Sequence, residues 1–191
     1  MKYLGKEISL KECLEKEWII TNGIGGYASS TIIGANTRKY HGLLIAPFTP
    51  PARRYLILSK IDESIEIDGK ENILYTNICK NYVSEGFKIQ ENFEKKYVPI
   101  FTYQINDVTI TKTICMQYGK NTVGILYNVK NGKNTAKLKL TPIINFIDFH
   151  CMNTGKTYNL KQTIAKNKVK IVVDNMGMYP IYMQCSAGIY T

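Results

Sequence analysis

Residues Thr122–Ile144 read TVGILYNVKNGKNTAKLKLTPII, and the period of two in this stretch decides the fold class. Val123, Ile125, Tyr127 and Val129 point one way along an extended chain, while Thr122, Gly124, Asn128 and Lys130 point the other. After Asn131-Gly132, a dipeptide suited to a type I′ turn, Ala136, Leu138, Leu140 and Ile144 alternate with Lys137, Lys139 and Thr141. The pattern predicts a hairpin with one buried and one wet face.

The same grammar extends in both directions. Ile100 to Ile105 and Val108, Ile110, Ile114 and Met116 flank Asn106-Asp107, and Asp68-Gly69 turns a further hairpin after Ile65 and Ile67. Val169, Ile171 and Val173 form one more strand, and Ile181, Met183 and Cys185 another. The one helix expected is short: Ser9 with Glu12 three residues later makes a capping box before Leu10, Cys13 and Leu14. Short strands with turn residues between them predict an all-β fold, a large antiparallel β-sandwich, in a single domain over residues 1–191. The last residues lie on or just after a strand without a polar tail, so truncation near the domain's C-terminal end is expected, with Met1 a native start.

With 191 residues, 45% of them hydrophobic, the chain can bury a core, which excludes a disordered tail. The net charge of +10 raises a nucleic-acid surface as one reading. Twenty-two of the 25 basic residues are Lys, however, scattered singly; Arg38, Arg53 and Arg54 are the only arginines. Phosphate and base recognition favours clustered, bidentate guanidinium groups. Lysines on wet strand faces account for the bias, and no nucleic-acid partner is expected. Five cysteines, odd in number and widely spaced (Cys13, Cys79, Cys115, Cys151 and Cys185), fit free thiols of a cytoplasmic protein. No secretory h-region or bilayer-spanning run is visible.

Residues 17–63 hold the unusual chemistry. Gly23-Ile24-Gly25-Gly26-Tyr27-Ala28 matches the dinucleotide-binding spacing G-x-G-x-x-A, but the β-branched run Ser29–Ile33 follows where a helix should begin. No acid stands about 20 residues on. The reading is rejected; Gly23, Gly25 and Gly26 serve instead as a tight turn or admit another backbone. The Walker, nucleophile-elbow and zincin motifs are absent. With His41 and His150 the only histidines, no multi-histidine metal site is possible, and no cofactor is expected. His150 and Cys151, as neighbours on a strand, would face opposite sides.

The blocks Asn22-Gly23-x-Gly25-Gly26-Tyr27-Ala28-Ser29 and Gly34-x-Asn36-Thr37-Arg38-x-Tyr40-His41-Gly42-Leu43-Leu44 resemble the N-terminal domain of bacterial and archaeal glycogen debranching enzymes. The likeness continues through Arg53-Arg54, Leu58-Ser59-Lys60, Glu63, Pro99-x-Phe101-x-Tyr103, Gly119-x-Asn121-Thr122 and Asp148-Phe149-His150, covering roughly residues 17–155. The resemblance implies a β-sandwich similar to the N-terminal domain of bacterial glucoamylases. A catalytic (α/α)6 barrel would follow it, hydrolysing the α-1,6-linked glucose at glycogen branch points. That barrel is absent from these 191 residues.

Glycoside hydrolysis needs two carboxyl groups flanking the bond. Asp68 and Asp107 sit in turns and Asp62-Glu63 face opposite sides of a strand, so no catalytic residue is expected and this chain alone is expected to be inactive. The partners implied by the resemblance are the catalytic domain of the same polypeptide and, through it, glycogen or another α-glucan; no membrane is implied. Asn36, Arg38 and His41 are candidates for the rim of the barrel's pocket, provided the backbone turns or bulges, for instance at Gly42, to bring Arg38 and His41 to one side. They serve equally well as internal bonding groups. Asp148 and His150 are either a hydrogen-bonded pair at a domain interface or an ordinary strand end. An autonomous carbohydrate-binding module is the alternative function, with some of the 14 tyrosines as sugar platforms.

Overall fold

The computed structural model describes residues 2–4, 9–133, 135–152, 159–174 and 179–190. In chain order the strands of the first half are β1 (Lys2–Leu4), β2 (Glu17–Thr21), β3 (Tyr27–Thr31), β4 (Gly42–Thr49), β5 (Ala52–Ile67), β6 (Lys70–Ile73), β7 (Ile78–Cys79) and β8 (Tyr82–Val83). They continue with β9 (Gln90–Lys95), β10 (Pro99–Ile105), β11 (Val108–Met116), β12 (Val123–Lys130), β13 (Ala136–Asp148), β14 (Leu160–Ala165), β15 (Lys168–Val173) and β16 (Ile181–Gln184). Among the described residues the one α-helix, α1 (Leu10–Glu15), starts at a capping box. The Glu12 N–H donates to Ser9 Oγ, and the Glu12 carboxylate accepts from the Ser9 N–H. Cys13 is its buried residue.

The chain divides into two compact units, residues 1–151 and 152–191. The first is an antiparallel sandwich. One sheet runs β1-β9-β10-β11-β12, the other β13-β5-β4-β3-β2 with β6 added to β5, and β7 pairs with β8. Between the two sheets Trp18 meets Phe101 edge-on at 6.2 Å, and Phe101 meets Phe93 at 4.9 Å. Ile32, Leu43, Ile65, Ile110 and Ile114 fill the space around them. The second unit is the sheet β14-β15-β16, with Val169, Ile171 and Val173 buried.

The turns at Asn106 (φ 51°) and at Asp68-Gly69 (φ 50° and 77°) close the hairpins β10–β11 and β5–β6 where the turn residues place them. The hairpin across Asn131-Gly132 does not form. β12 pairs with β11 in one sheet, and β13 pairs with β5 in the other, so this connection crosses between the sheets. Its cause is local. A Cβ on Gly132 would lie 1.6 Å from Asp107 Oδ2, and the Lys133 N–H donates to that same oxygen at 3.2 Å. Gly132 therefore makes room for the carboxylate of the β10–β11 turn. Alternation reveals which face of a strand is dry, but not which neighbour it pairs with. Nor are all the strands short: β5 runs 16 residues and β13 runs 13.

The core is not wholly apolar. Lys112 on β11 reaches across to Glu63 on β5, their side chains 8% and 4% exposed, and Tyr127 Oη donates to the same carboxylate oxygen at 2.7 Å. Asp62, on the other face of β5, pairs with Lys60 at 3.0 Å and accepts from Asn77 Nδ2. The two adjacent acids thus have separate partners. All five cysteines are free. No helix among the described residues is long and apolar enough to cross a membrane.

Candidate functional site

The glycine-rich loop after β2 is folded around one side chain. Asn22, with 0% exposure, accepts through Oδ1 from the N–H groups of Ile24 (3.1 Å) and Gly26 (2.8 Å). Its Nδ2 donates to the Lys120 carbonyl (3.0 Å) and to Asn121 Oδ1 (3.1 Å). An amide has two donors and two acceptor positions, and here all four are used. Asn121 in turn donates to the Pro47 carbonyl. One buried amide therefore ties the loop to the β11–β12 connection and, through Asn121, to β4. The Ile24 and Gly26 amides already serve Asn22 in place of a phosphate, and β3 follows in place of a helix.

The glycines have steric reasons. Gly25 has φ +97°, and a Cβ there would lie 2.7 Å from the Pro51 carbonyl oxygen. Gly23 has φ +79° and lies under the Tyr118 ring, 2.3 Å from where a Cβ would stand. A Cβ on Gly26 would meet Asn22 Nδ2 at 2.4 Å. Gly42 lies at the start of β4, where a Cβ would meet the Leu56 side chain at 2.4 Å.

The second loop turns before Gly42, over Arg38–His41, where the His41 N–H donates to the Arg38 carbonyl at 3.0 Å. The turn brings Arg38 and His41 to the same acid. Arg38 Nε donates to Glu17 Oε1, and His41 Nε2 lies 3.4 Å from that oxygen, off hydrogen-bond alignment. His41 Nδ1 accepts from the Thr37 N–H at 3.1 Å, which places the ring proton on Nε2. Burial is the main force holding the imidazole pKa below its ordinary value; Arg38 adds to it and Glu17 opposes it. Asn36 is occupied at both ends, accepting from Ser30 Oγ (2.8 Å) and donating to the Ser59 carbonyl (2.9 Å).

The β13 terminus meets this loop. Tyr40 Oη lies 3.3 Å from His150 Nδ1, Lys39 Nζ donates to the His150 carbonyl at 3.1 Å, and the rings of Tyr40 and Phe149 are 5.4 Å apart. Asp148 and His150 are bonded, but through the backbone: Asp148 Oδ1 accepts from the His150 N–H at 2.9 Å. The imidazole faces Tyr40. Arg54 joins the two loops, its Nε donating to the Gly25 carbonyl at 2.7 Å and its guanidinium carbon standing 5.3 Å from the Phe149 ring. Tyr27 Oη donates to the Tyr40 carbonyl at 3.0 Å. Beside these groups an open cleft of about 350 Å³ is lined by Ile19, Thr21, Gly23, Gly25, Gly26, Tyr27 and Arg54.

The fold thus gathers Asn36, Arg38, His41, Asp148 and His150 into one neighbourhood, with different standing. Asn36 and His41 hold the loop from inside, while Arg38 and His150 are exposed. Sequence reading placed Asn22, Tyr27, Tyr40, Arg54 and Phe149 in the resembling blocks but gave them no role, and did not single out Glu17. Asn22 carried a signal, since an amide ahead of a glycine turn can bond that turn's own N–H groups. The acids of this neighbourhood, Glu17 and Asp148, already have partners. Among the described residues no group of three or more His, Cys, Asp or Glu is close enough to hold a metal ion.

A two-sheet antiparallel sandwich presenting two braced loops defines a β-sandwich domain. The chain belongs to the family described as glycogen debranching enzyme N terminal, whose model matches residues 16–191. That match takes in β14–β16, beyond the blocks that carry the resemblance. No curated protein and no solved structure matches the chain.

Proposed function

We propose that this chain is the non-catalytic N-terminal domain of a glycogen debranching glycoside hydrolase. In this reading it docks on the catalytic barrel that follows it and helps shape the rim of the pocket where α-1,6-linked glucose is cleaved. The observation that carries the proposal is the Arg38–Tyr40 loop. Its three side chains are exposed, while its backbone is braced from beneath by the buried His41 and by Asn36. A rigid loop loses little entropy when it meets a partner, which suits it to a contact surface. Family membership supplies the reaction class, and the lack of a spare carboxylate pair in this neighbourhood supports leaving bond cleavage to another domain.

The test is made in the full-length enzyme with Lys39→Ala and Tyr40→Ala, changes on the exposed side of the loop. The expected result is a fall in kcat/KM on a limit dextrin of about tenfold, a loss of roughly 1.4 kcal/mol of transition-state stabilisation. Unchanged kinetics in a folded double variant refutes the rim role. Glucose release by the purified 191-residue chain alone refutes the non-catalytic assignment.

A further inference from the structure

We propose that the cavity between the two sheets, beside the Lys112–Glu63 pair, is a binding site for one structural water molecule that bridges Lys112, Glu63 and Tyr103. The site belongs to the interior of the sandwich and stands independently of the docking role.

The ion pair lacks bonds that its burial demands. Lys112 is an ammonium with three donors, and its side chain is 8% exposed. One donor serves Glu63 Oε1, and the Phe101 ring stands beside Nζ, its centroid 5.6 Å away. No other partner of Nζ is present among the described residues. Glu63, its side chain 4% exposed, accepts from both Lys112 and the Tyr127 hydroxyl on Oε1 alone. Its second oxygen has no partner among the described residues. Taking two charges out of water is repaid only when their remaining donors and lone pairs are also satisfied.

Tyr103 supplies a third group. It lies two residues from Phe101 on β10 and shares its inner face, and Phe101 stands directly across from Lys112 on β11. Tyr103 and Lys112 are therefore diagonal neighbours on one sheet face, and Glu63 meets them from β5 in the other sheet. The Tyr103 side chain is buried, and its hydroxyl has no hydrogen-bond partner among the described residues. Burial, with the Glu63 charge adding to it, keeps this phenol protonated and so able to donate as well as accept.

All three residues line one narrow cavity, which leaves about 10 Å³ for the centre of a water-sized sphere. That is about the least room that holds a single water, and an internal water needs about 2–4 polar partners. Here it accepts from Lys112 Nζ, donates to Glu63 Oε2 and bonds the Tyr103 hydroxyl. Lys60, the other cation lining the cavity, has no need of it: its ammonium already meets the Thr76 carbonyl, Asn77 Oδ1 and Asp62.

Other occupants fit worse. Glu63 repels a free anion and Lys112 a free cation. An apolar occupant leaves the same donors and lone pairs unmet, and a larger polar molecule exceeds the space.

The experiment counts long-lived internal waters by deuteron magnetic relaxation dispersion. It compares the 191-residue chain with the double variant Lys112→Met, Glu63→Leu, in which apolar groups replace the pair. The expected outcome is one long-lived water fewer in the double variant, because small apolar cavities stay dry; equal counts overturn the proposal. Tyr103→Phe leaves the ion pair intact and should shorten the residence time of that water about fivefold, the factor for one net hydrogen bond. An unchanged residence time overturns the bridging geometry. A high-resolution crystal structure of the unaltered chain is the check that depends on no variant. An ordered water within about 2.7–3.2 Å of both Lys112 Nζ and Glu63 Oε2 is expected. An ion there, a water bonded to neither group, or no density at all refutes the site.

Discussion

Replacing Asn22 by Ala should destabilise the sandwich out of proportion to the size of the side chain. The change deletes four hydrogen bonds made by a fully buried amide, two accepted from loop N–H groups and two donated to the β11–β12 connection. At about 1 kcal/mol net for each bond, the ceiling is about 4 kcal/mol. Lys120 is exposed and Ile24 half-buried, so some of the freed groups regain water, which sets a floor of about 2 kcal/mol. Against a total stability of about 5–15 kcal/mol, either figure is measurable. Asn22→Asp keeps the two accepted bonds but turns a carboxylate toward the Lys120 carbonyl and Asn121 Oδ1, so it should rescue little. Urea unfolding followed by Trp18, the only tryptophan and 3% exposed, gives the loss directly. A loss below about 1 kcal/mol at unchanged m-value would refute the view that this amide holds the loops together.

Three further outcomes follow from the same geometry. Lys112→Met should cost about 3–5 kcal/mol by leaving Glu63 buried without its cation, whereas Lys112→Met with Glu63→Leu should recover most of that; a single variant no worse than the double refutes the account. Because the folded pKa of His41 is lowered, the unfolded chain takes up the proton first, so this stabilisation is complete above the unfolded value of about 6.5 and is lost as the pH falls below it toward the folded value. Urea midpoints measured from pH 7.5 to about 5 should show that decline, and His41→Asn should flatten it; an unchanged slope removes His41 as its source. Gly25→Ala combines φ +97° with a 2.7 Å approach to the Pro51 carbonyl oxygen and should cost more than about 1–3 kcal/mol, read by thermal unfolding; a neutral change would mean the Pro51 turn moves freely.

Much of the fold was legible along the chain because its signals are local. Period-two alternation, the Asn106-Asp107 and Asp68-Gly69 turns and the Ser9–Glu12 box each act within a few residues, and the structure has all of them where they were read. The β12–β13 connection was misread for the complementary reason. Its outcome depends on Asp107, about two dozen residues earlier, which captures the Lys133 N–H. Strand β14 went unread because none of its residues is buried, so no dry face marked it.

The candidate site divides along the same line. The sequence by itself determined the class of the domain and the segments with unusual chemistry, because glycine spacing and apolar periodicity are properties of neighbouring residues. Only the tertiary structure decided what those residues do. It set Arg38 and His41 on Glu17, turned Asp148 toward a backbone N–H in preference to an imidazole, and brought Arg54 between the two loops. Hydrogen bonds and ion pairs act over about 3 Å in space, and only the folded chain fixes which distant residues come that close.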